Sequence, residues 1–219
     1  MPLVFRRPFS AAVASLPLRT LDFESGSGWV DSFGGIWTPS GGTTLASVPK
    51  NGTRSVLFVT GSTLTIPNDQ GQFDLTTKDF SIQFWMRRTN SGKVCGTYQW
   101  DHGYTGGWSL GIAGIGAVYL SHSGTVIQGT VVVPLNTWTH VCVERVGQVF
   151  YVYVNGTLDS SVSSSVSINN GVYWLPSVFR LNGKMTDGRA IDETWSGYLD
   201  DFKFLLGSAV HGGANFTPS

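Results

Sequence analysis

This sequence predicts an all-β fold, an antiparallel two-sheet β-sandwich of the jelly-roll type, on three observations. Short runs with period-two alternation of apolar and polar residues follow one another along the chain, the pattern of half-buried strands. Clusters of Gly, Asn, Asp and Ser bound these runs at spacings of about ten residues, the interval of sandwich strands and their turns. No segment of about twelve or more residues carries the 3.6-residue apolar stripe of an amphipathic helix.

Residues 1–19 hold three prolines and three arginines without periodicity, so they are expected to form an extended N-terminal attachment arm whose contact residues are Arg6, Arg7 and Phe9. Arg6-Arg7 followed by Pro8-Phe9 is loosely like a twin-arginine export pattern, but the apolar run behind it is brief and Pro17 breaks it. Residues 20–219 are read as one domain. Its expected strands are Leu21–Phe23, Ser55–Val59, Thr63–Ile66, Phe80–Arg87, Trp108–Ile112, Gly116–Ser121, Val126–Val133, Thr137–Arg145, Val149–Val154, Val178–Leu181 and Tyr198–Leu205. The strongest local signal is the β-branched and aromatic run Val149–Val154 leading into Asn155-Gly156, a pair suited to a type I′ hairpin turn, where both central residues need φ > 0. The Ser-rich stretch Ser160–Ser167 fits a solvated edge strand as well as a loop. There is no internal repeat.

Composition narrows the function. Charged residues make up 13% of the 219, against about 25% in a typical globular chain. The 14 Lys and Arg balance 14 Asp and Glu, and no basic cluster exceeds the pairs Arg6-Arg7 and Arg87-Arg88, so the electrostatic footprint of a nucleic-acid or anionic-membrane partner is missing. The charge-free stretch Gly103–Val143 is interrupted by Gly, Ser, Thr, His and Pro, and its most apolar piece is far short of the ~20 residues of a membrane span. Cys95 and Cys142 show no Cys-x-x-Cys spacing, and both read as small buried hydrophobes of a protein assembled in a reducing compartment.

The order of segments resembles the laminin-G-like and pentraxin-like branch of the concanavalin-A-type jelly roll. The matching pieces are Leu21-Asp22-Phe23 with Asp31-Ser32, Ser81–Arg87, Asn136–Arg145, Val152–Gly156 and Gly197–Phe204. The ending, Gly207–Pro218, is similar to the close of this domain in tailed-phage and prophage virion proteins, with His211-Gly212 standing where those carry Arg-Tyr. What the resemblance implies is a structural protein of a phage particle located in the virion after assembly in the host cytoplasm. Its partners would be capsid or tail proteins. With one domain and an arm, and no coiled-coil heptads or shaft repeat, a head-decoration or capsid-fibre role is expected ahead of a tail-fibre or tail-tip receptor-binding lectin. A homotrimer is the expected assembly, because virion appendages need symmetric, multivalent attachment.

Catalysis is not expected. Retaining glycosidases set two carboxylates about 5–5.5 Å apart, yet the only glutamates, Glu24, Glu144 and Glu193, are far apart in sequence, and the neighbours Asp200 and Asp201 should point to opposite faces of one strand. There is no Gly-x-Ser-x-Gly elbow, and His102, His122, His140 and His211 show no zinc spacing. The resemblance leaves calcium open as a cofactor: Asp22 or Asp31 near the first strand would meet Asp200 or Asp201 in the last, in a set of oxygen ligands. The alternative is that the last-strand acid caps backbone amides. For a host-surface glycan, the segment Tyr98–Trp108 offers rings beside short polar side chains. Trp100, Asp101, His102, Tyr104 and Trp108 are the candidates there, with Trp174 and Trp195 secondary; the competing reading for Trp100 and Trp108 is that they flank strands and fill the sandwich edges or a subunit contact. The Asn-x-Thr triplets at Asn51, Asn155 and Asn215 are read as turn and terminal-motif residues without attached sugar.

Overall fold

In the sequence Phe80-Ser-Ile-Gln-Phe-Trp-Met-Arg, the residues Phe80, Ile82, Phe84 and Met86 are fully buried while Gln83, Trp85 and Arg87 are half-buried on the other side. That is the pleat of one strand with a core face and an outer face. A computed structural model of the protein describes residues 18–24, 26, 28–68, 71–97, 99–101, 104–168, 178–185 and 191–219. Among these there is no helix. The strands, in chain order, are β1 (Leu18–Leu21), β2 (Thr38–Ser40), β3 (Thr44–Ala46), β4 (Ser55–Phe58), β5 (Thr63–Pro67), β6 (Phe80–Arg88), β7 (Gly92–Gly96), β8 (Gln99–Asp101) and β9 (Tyr104–Gly106). They continue with β10 (Ser109–Ile112), β11 (Ala117–Ser121), β12 (Thr125–Val132), β13 (Thr139–Val146), β14 (Val149–Val154), β15 (Thr157–Ser163), β16 (Val178–Leu181), β17 (Lys184–Met185), β18 (Ile191–Asp192) and β19 (Gly197–Leu206).

Two antiparallel sheets form the sandwich. One has eight strands in the order β15-β14-β13-β6-β19-β4-β3, with β1 also on β19; the other has seven, β12-β11-β10-β7-β16-β5-β2. A small sheet, β18-β17-β8-β9, stands apart from both. Each expected strand appears, displaced by no more than a few residues. Ser160–Ser163 falls in the edge strand β15, in line with one of the two readings for that stretch. The chain also forms β2, β3 and β7, which are short or bounded by glycine and carry little alternation. Leu18 and Arg19, read as the end of the arm, belong to β1, where Leu18 pairs with Leu205. Arg6, Arg7 and Phe9 lie outside the described residues.

The inward faces meet over an aromatic core. Phe73 stacks on Phe179 at 4.1 Å, Trp37 meets Phe179 edge-on at 5.7 Å, and Phe204 lies 5.0 Å from Phe73. Each such buried side chain contributes roughly 1.5–3 kcal/mol of hydrophobic stabilisation. Trp108, a glycan candidate from the sequence, is 0% exposed, and its Nε1 donates to the Phe73 carbonyl at 3.0 Å. It is a core residue, because Trp108 enters the seven-stranded sheet where the inward positions are fully apolar. Trp195 is likewise 0% exposed.

At the turn after β14, Asn155 and Gly156 have φ of 51° and 76°, as the type I′ reading requires. In β19 the pairing with β6 shifts between Asp200 and Lys203, and Asp201 has φ 48°. This bulge overturns the expectation that Asp200 and Asp201 face apart. Both carboxylates reach the loop before β4: Asp200 Oδ2 accepts the amides of Lys50 and Asn51 at 2.8 and 3.1 Å, and Asp201 accepts the Asn51 side-chain amide. A bulge re-aims one side chain in this way.

Candidate functional site

The outer face of the eight-stranded sheet divides into a covered half and an open half. The cover is the closing segment, residues 207–219, which crosses β13, β6 and β14. Glu144, on the outer face of β13 and fully buried, accepts the amides of Val210 at 3.0 Å, His211 at 3.1 Å and Gly212 at 3.2 Å. Tyr153 Oη accepts the Gly213 amide at 2.7 Å, and the Gly156 carbonyl accepts the Phe216 amide at 2.9 Å. Gly156 is required there, since a Cβ would run into the Phe216 carbonyl. Phe216 stacks on His211 and packs edge-on against Tyr153 and His140.

Burial under this segment governs the titration of the face. It pushes the His140 imidazole down to about 3, aided by the charges of Lys203 and His211. The His211 imidazole is lowered by burial, against the pull of Glu144, and the Cys142 thiol is raised by burial and then by Glu144. Beside the segment lies a half-open hollow of about 230 Å³, lined by Leu18, Gln83, Lys203, Val210, His211 and Phe216 among others.

The open half is an aromatic row across three strands. Trp138 immediately precedes Thr139, the partner of Met86, and so stands beside Arg87, which pairs with Tyr198. All three are half-buried. The Trp138 and Tyr198 rings are 6.5 Å apart, and the Arg87 guanidinium sits 5.7 Å from the Tyr198 ring centre while its Nε donates to the Asn136 carbonyl at 3.0 Å. Trp85, one pleat on at the border of the two halves, donates its Nε1 to the Ser219 carbonyl at 3.3 Å and carries the Lys50 ammonium 4.4 Å above its ring. Rings held partly exposed by neighbouring cations make a platform with apolar faces and polar rims. Alternation along the expected strand Phe80–Arg87 puts Trp85 and Arg87 on its outer face; Trp138 and Tyr198 are found only through the strand register.

The sequence-derived sites map elsewhere. Trp100 and Asp101 of β8 pair with Thr105 and Tyr104 of β9 in a hairpin of the small sheet. His102 and Trp174 lie outside the described residues. Of the calcium candidates, Asp31 is already saturated: it accepts from Arg19, from Trp37 Nε1 at 2.8 Å and from the amides of Phe33 and Gly35 at 2.9 and 3.0 Å, which uses the roughly four lone-pair sites of a carboxylate. Asp22 follows the Leu21–Phe202 pair but accepts the Glu24 amide at 3.0 Å. Among the described residues, none of Asp22, Asp31, Asp200 and Asp201 belongs to a group of three ligand-bearing side chains. The contacts of Asp31, Asp200 and Asp201 match the other reading of the sequence, in which these acids cap amides and side chains.

The glutamates also have structural partners. Glu24 accepts the Thr53 amide and hydroxyl at 2.9 and 2.6 Å and the Arg54 amide at 2.7 Å, which lowers its pKa, and Glu193 pairs with Lys93 at 3.3 Å.

A two-sheet sandwich of this topology with an aromatic outer platform defines a lectin-like domain by architecture. The sequence matches the family model of the concanavalin A-like lectin/glucanases superfamily over residues 58–208, and the chain belongs to that family. No curated protein matches it. Among solved structures it is similar to domain 4 of AbnA, a GH43 extracellular arabinanase from Geobacillus stearothermophilus, in complex with arabinotriose. The TM-score is 0.67 at 19% identity, covering 89% of this chain and 95% of that one. It is also similar to the botulinum neurotoxin serotype G binding domain, with TM-score 0.61, 16% identity and 88% of this chain covered; the chain spans 48% of that structure. The CBM40 of Ruminococcus gnavus IT-sialidase bound to α2,3-sialyllactose gives TM-score 0.51 at 12% identity, over 59% of this chain and 76% of that one. At these identities the likeness is one of fold.

Proposed function

We propose that this chain is a non-catalytic carbohydrate-binding module of a tailed-phage virion protein, in a head-decoration or capsid-fibre role, and that it holds host-surface glycans on the row Trp138–Arg87–Tyr198. The observation that carries the binding reading is that row: two rings 6.5 Å apart, with the Arg87 guanidinium 5.7 Å from the Tyr198 ring, on a sheet face that the closing segment leaves open. Sugar C–H faces pack on rings, and the guanidinium and nearby carbonyls meet the hydroxyls. The solved sandwiches that are bound to arabinotriose and sialyllactose support this reading by analogy of fold. The structural engagement of Glu24, Glu144 and Glu193 supports a non-catalytic role. The virion setting is supported by the closing segment 207–218.

Glycan-array binding by the full chain tests the site. Retention of a glycan by the wild type, weakened at least about ten-fold in Trp138→Ala and Tyr198→Ala, is the expected result; binding unchanged in both variants moves the site off this row. Imaging of virions by cryo-electron microscopy tests the setting, with density on the capsid lattice expected and density at the tail tip alone favouring a receptor-binding role.

A further inference from the structure

The covered half of the sheet brings together residue types that no sequence spacing announces. Cys142 and Glu144 are two apart on β13 and therefore share its outer face. The closing segment lays His211 over them. The Cys142 sulfur, a Glu144 oxygen and an imidazole nitrogen of His211 all lie within 4.8 Å of one another. We infer that Cys142, Glu144 and His211 form a binding site for a zinc-class divalent cation, which fastens the closing segment to the sheet.

The chemistry of the donors selects the metal. Thiolate, imidazole and carboxylate together suit zinc, whereas calcium and magnesium take oxygen ligands alone. Tetrahedral zinc with bonds of 2.0–2.3 Å spaces its ligand atoms about 3.5 Å apart, so the cluster needs only about an ångström of closure. His211 has coordinating capacity to spare, for its Nε2 is buried with no hydrogen-bond partner. A buried polar atom without a partner is destabilising, and ligation removes that penalty where this nitrogen binds the metal.

Charge balance points the same way. Glu144 and Cys142 are both fully buried, and a thiolate plus a carboxylate neutralise a divalent ion in a site where net charge is expensive. On binding, the Cys142 thiol proton leaves to solvent, Glu144 ligates as the carboxylate and His211 as the neutral imidazole, with no change of oxidation state. Glu144 accepts from three amides, with that of His211 shared between its two oxygens, so one of the roughly four lone-pair sites of the carboxylate is left for the ion while the amides of Val210 and Gly212 stay as outer support. The hollow that His211 lines offers the ion a way in.

The full chain titrated with Zn²⁺ and, separately, Co²⁺ tests this. The expected results are one equivalent of Zn²⁺ bound with release of about one proton, and a thiolate-to-cobalt charge-transfer band that persists in Cys95→Ala. Cys142→Ser and His211→Gln should each weaken Zn²⁺ binding by more than the roughly 10–100-fold typical of losing an outer-shell partner. Absence of the cobalt band in the wild type overturns the inference, whether or not the variants fold, and so does zinc binding of equal strength in both variants.

Discussion

The two halves of one sheet face behave as different environments although the same strands build them. On the covered half, Glu144 and His140 are 0% and 2% exposed; on the open half Trp138, Arg87 and Tyr198 remain half-buried. Strand alternation assigns all of these to the outside. What separates them is a segment arriving 66 residues later in the chain, whose amides supply donors that water would otherwise provide. An outward polar residue on a strand is thus no guide to solvent until the remote chain that crosses it is known.

The largest expected effect falls on the covered half. Glu144→Ala leaves the amides of Val210, His211 and Gly212 without their acceptor and should cost about 3 kcal/mol, read from urea unfolding; Glu144→Gln, which keeps one acceptor oxygen, should cost less. A loss within about 0.5 kcal/mol for both, the range of ordinary surface substitutions, would erase the contrast between the halves. On the open half, Trp138→Ala and Tyr198→Ala should each change stability by no more than about 1 kcal/mol while affecting ligand binding most. If they destabilise as much as Glu144→Ala, the open row is structural.

The smallest effect is a difference in sign with pH. Burial holds His140 at about 3, below its ordinary 6.5, so the unfolded chain takes up a proton that the folded one refuses, and this contribution to stability is lost as pH falls below 6.5 toward 3. Burial holds Asp200 at about 6, above its ordinary 3.8, despite its bonds to the Asn51 and Lys50 amides. The folded state then binds a proton between those values that the unfolded state lacks, so this contribution is present below 3.8 and lost as pH rises through 6. The two oppose each other between pH 4 and 6. Urea midpoints across that window should rise on acidification more in His140→Phe than in the wild type, and fall more steeply in Asp200→Asn, which retains an acceptor for the Lys50 and Asn51 amides.

The fold was legible because alternation and turn chemistry are local. Val149–Gly156 predicts its own hairpin, and Phe80–Met86 predicts its own core face. The site was less so. Trp108 carries the same ring chemistry as Trp138, and only the sheet context makes one a core residue and the other a surface one. Asp200 and Asp201 mislead because a bulge, set by pairing across β6, turns a strand residue out of its expected face. The meeting of Cys142 and Glu144 with His211 depends on a tail that crosses the sheet, and a gap of 67 residues carries no spacing signal.

β19, the last of the described strands, is flanked in its sheet by β6 on one side and by β4 and β1 on the other. A chain emerging from the ribosome therefore has hairpins but no middle to its larger sheet until residue 206 is out. Pairing at such sequence separations is slow in loop-closure terms. Formation of the larger sheet is expected to be concerted and to wait for β19, with the nascent chain dependent on quality-control factors until that strand is out.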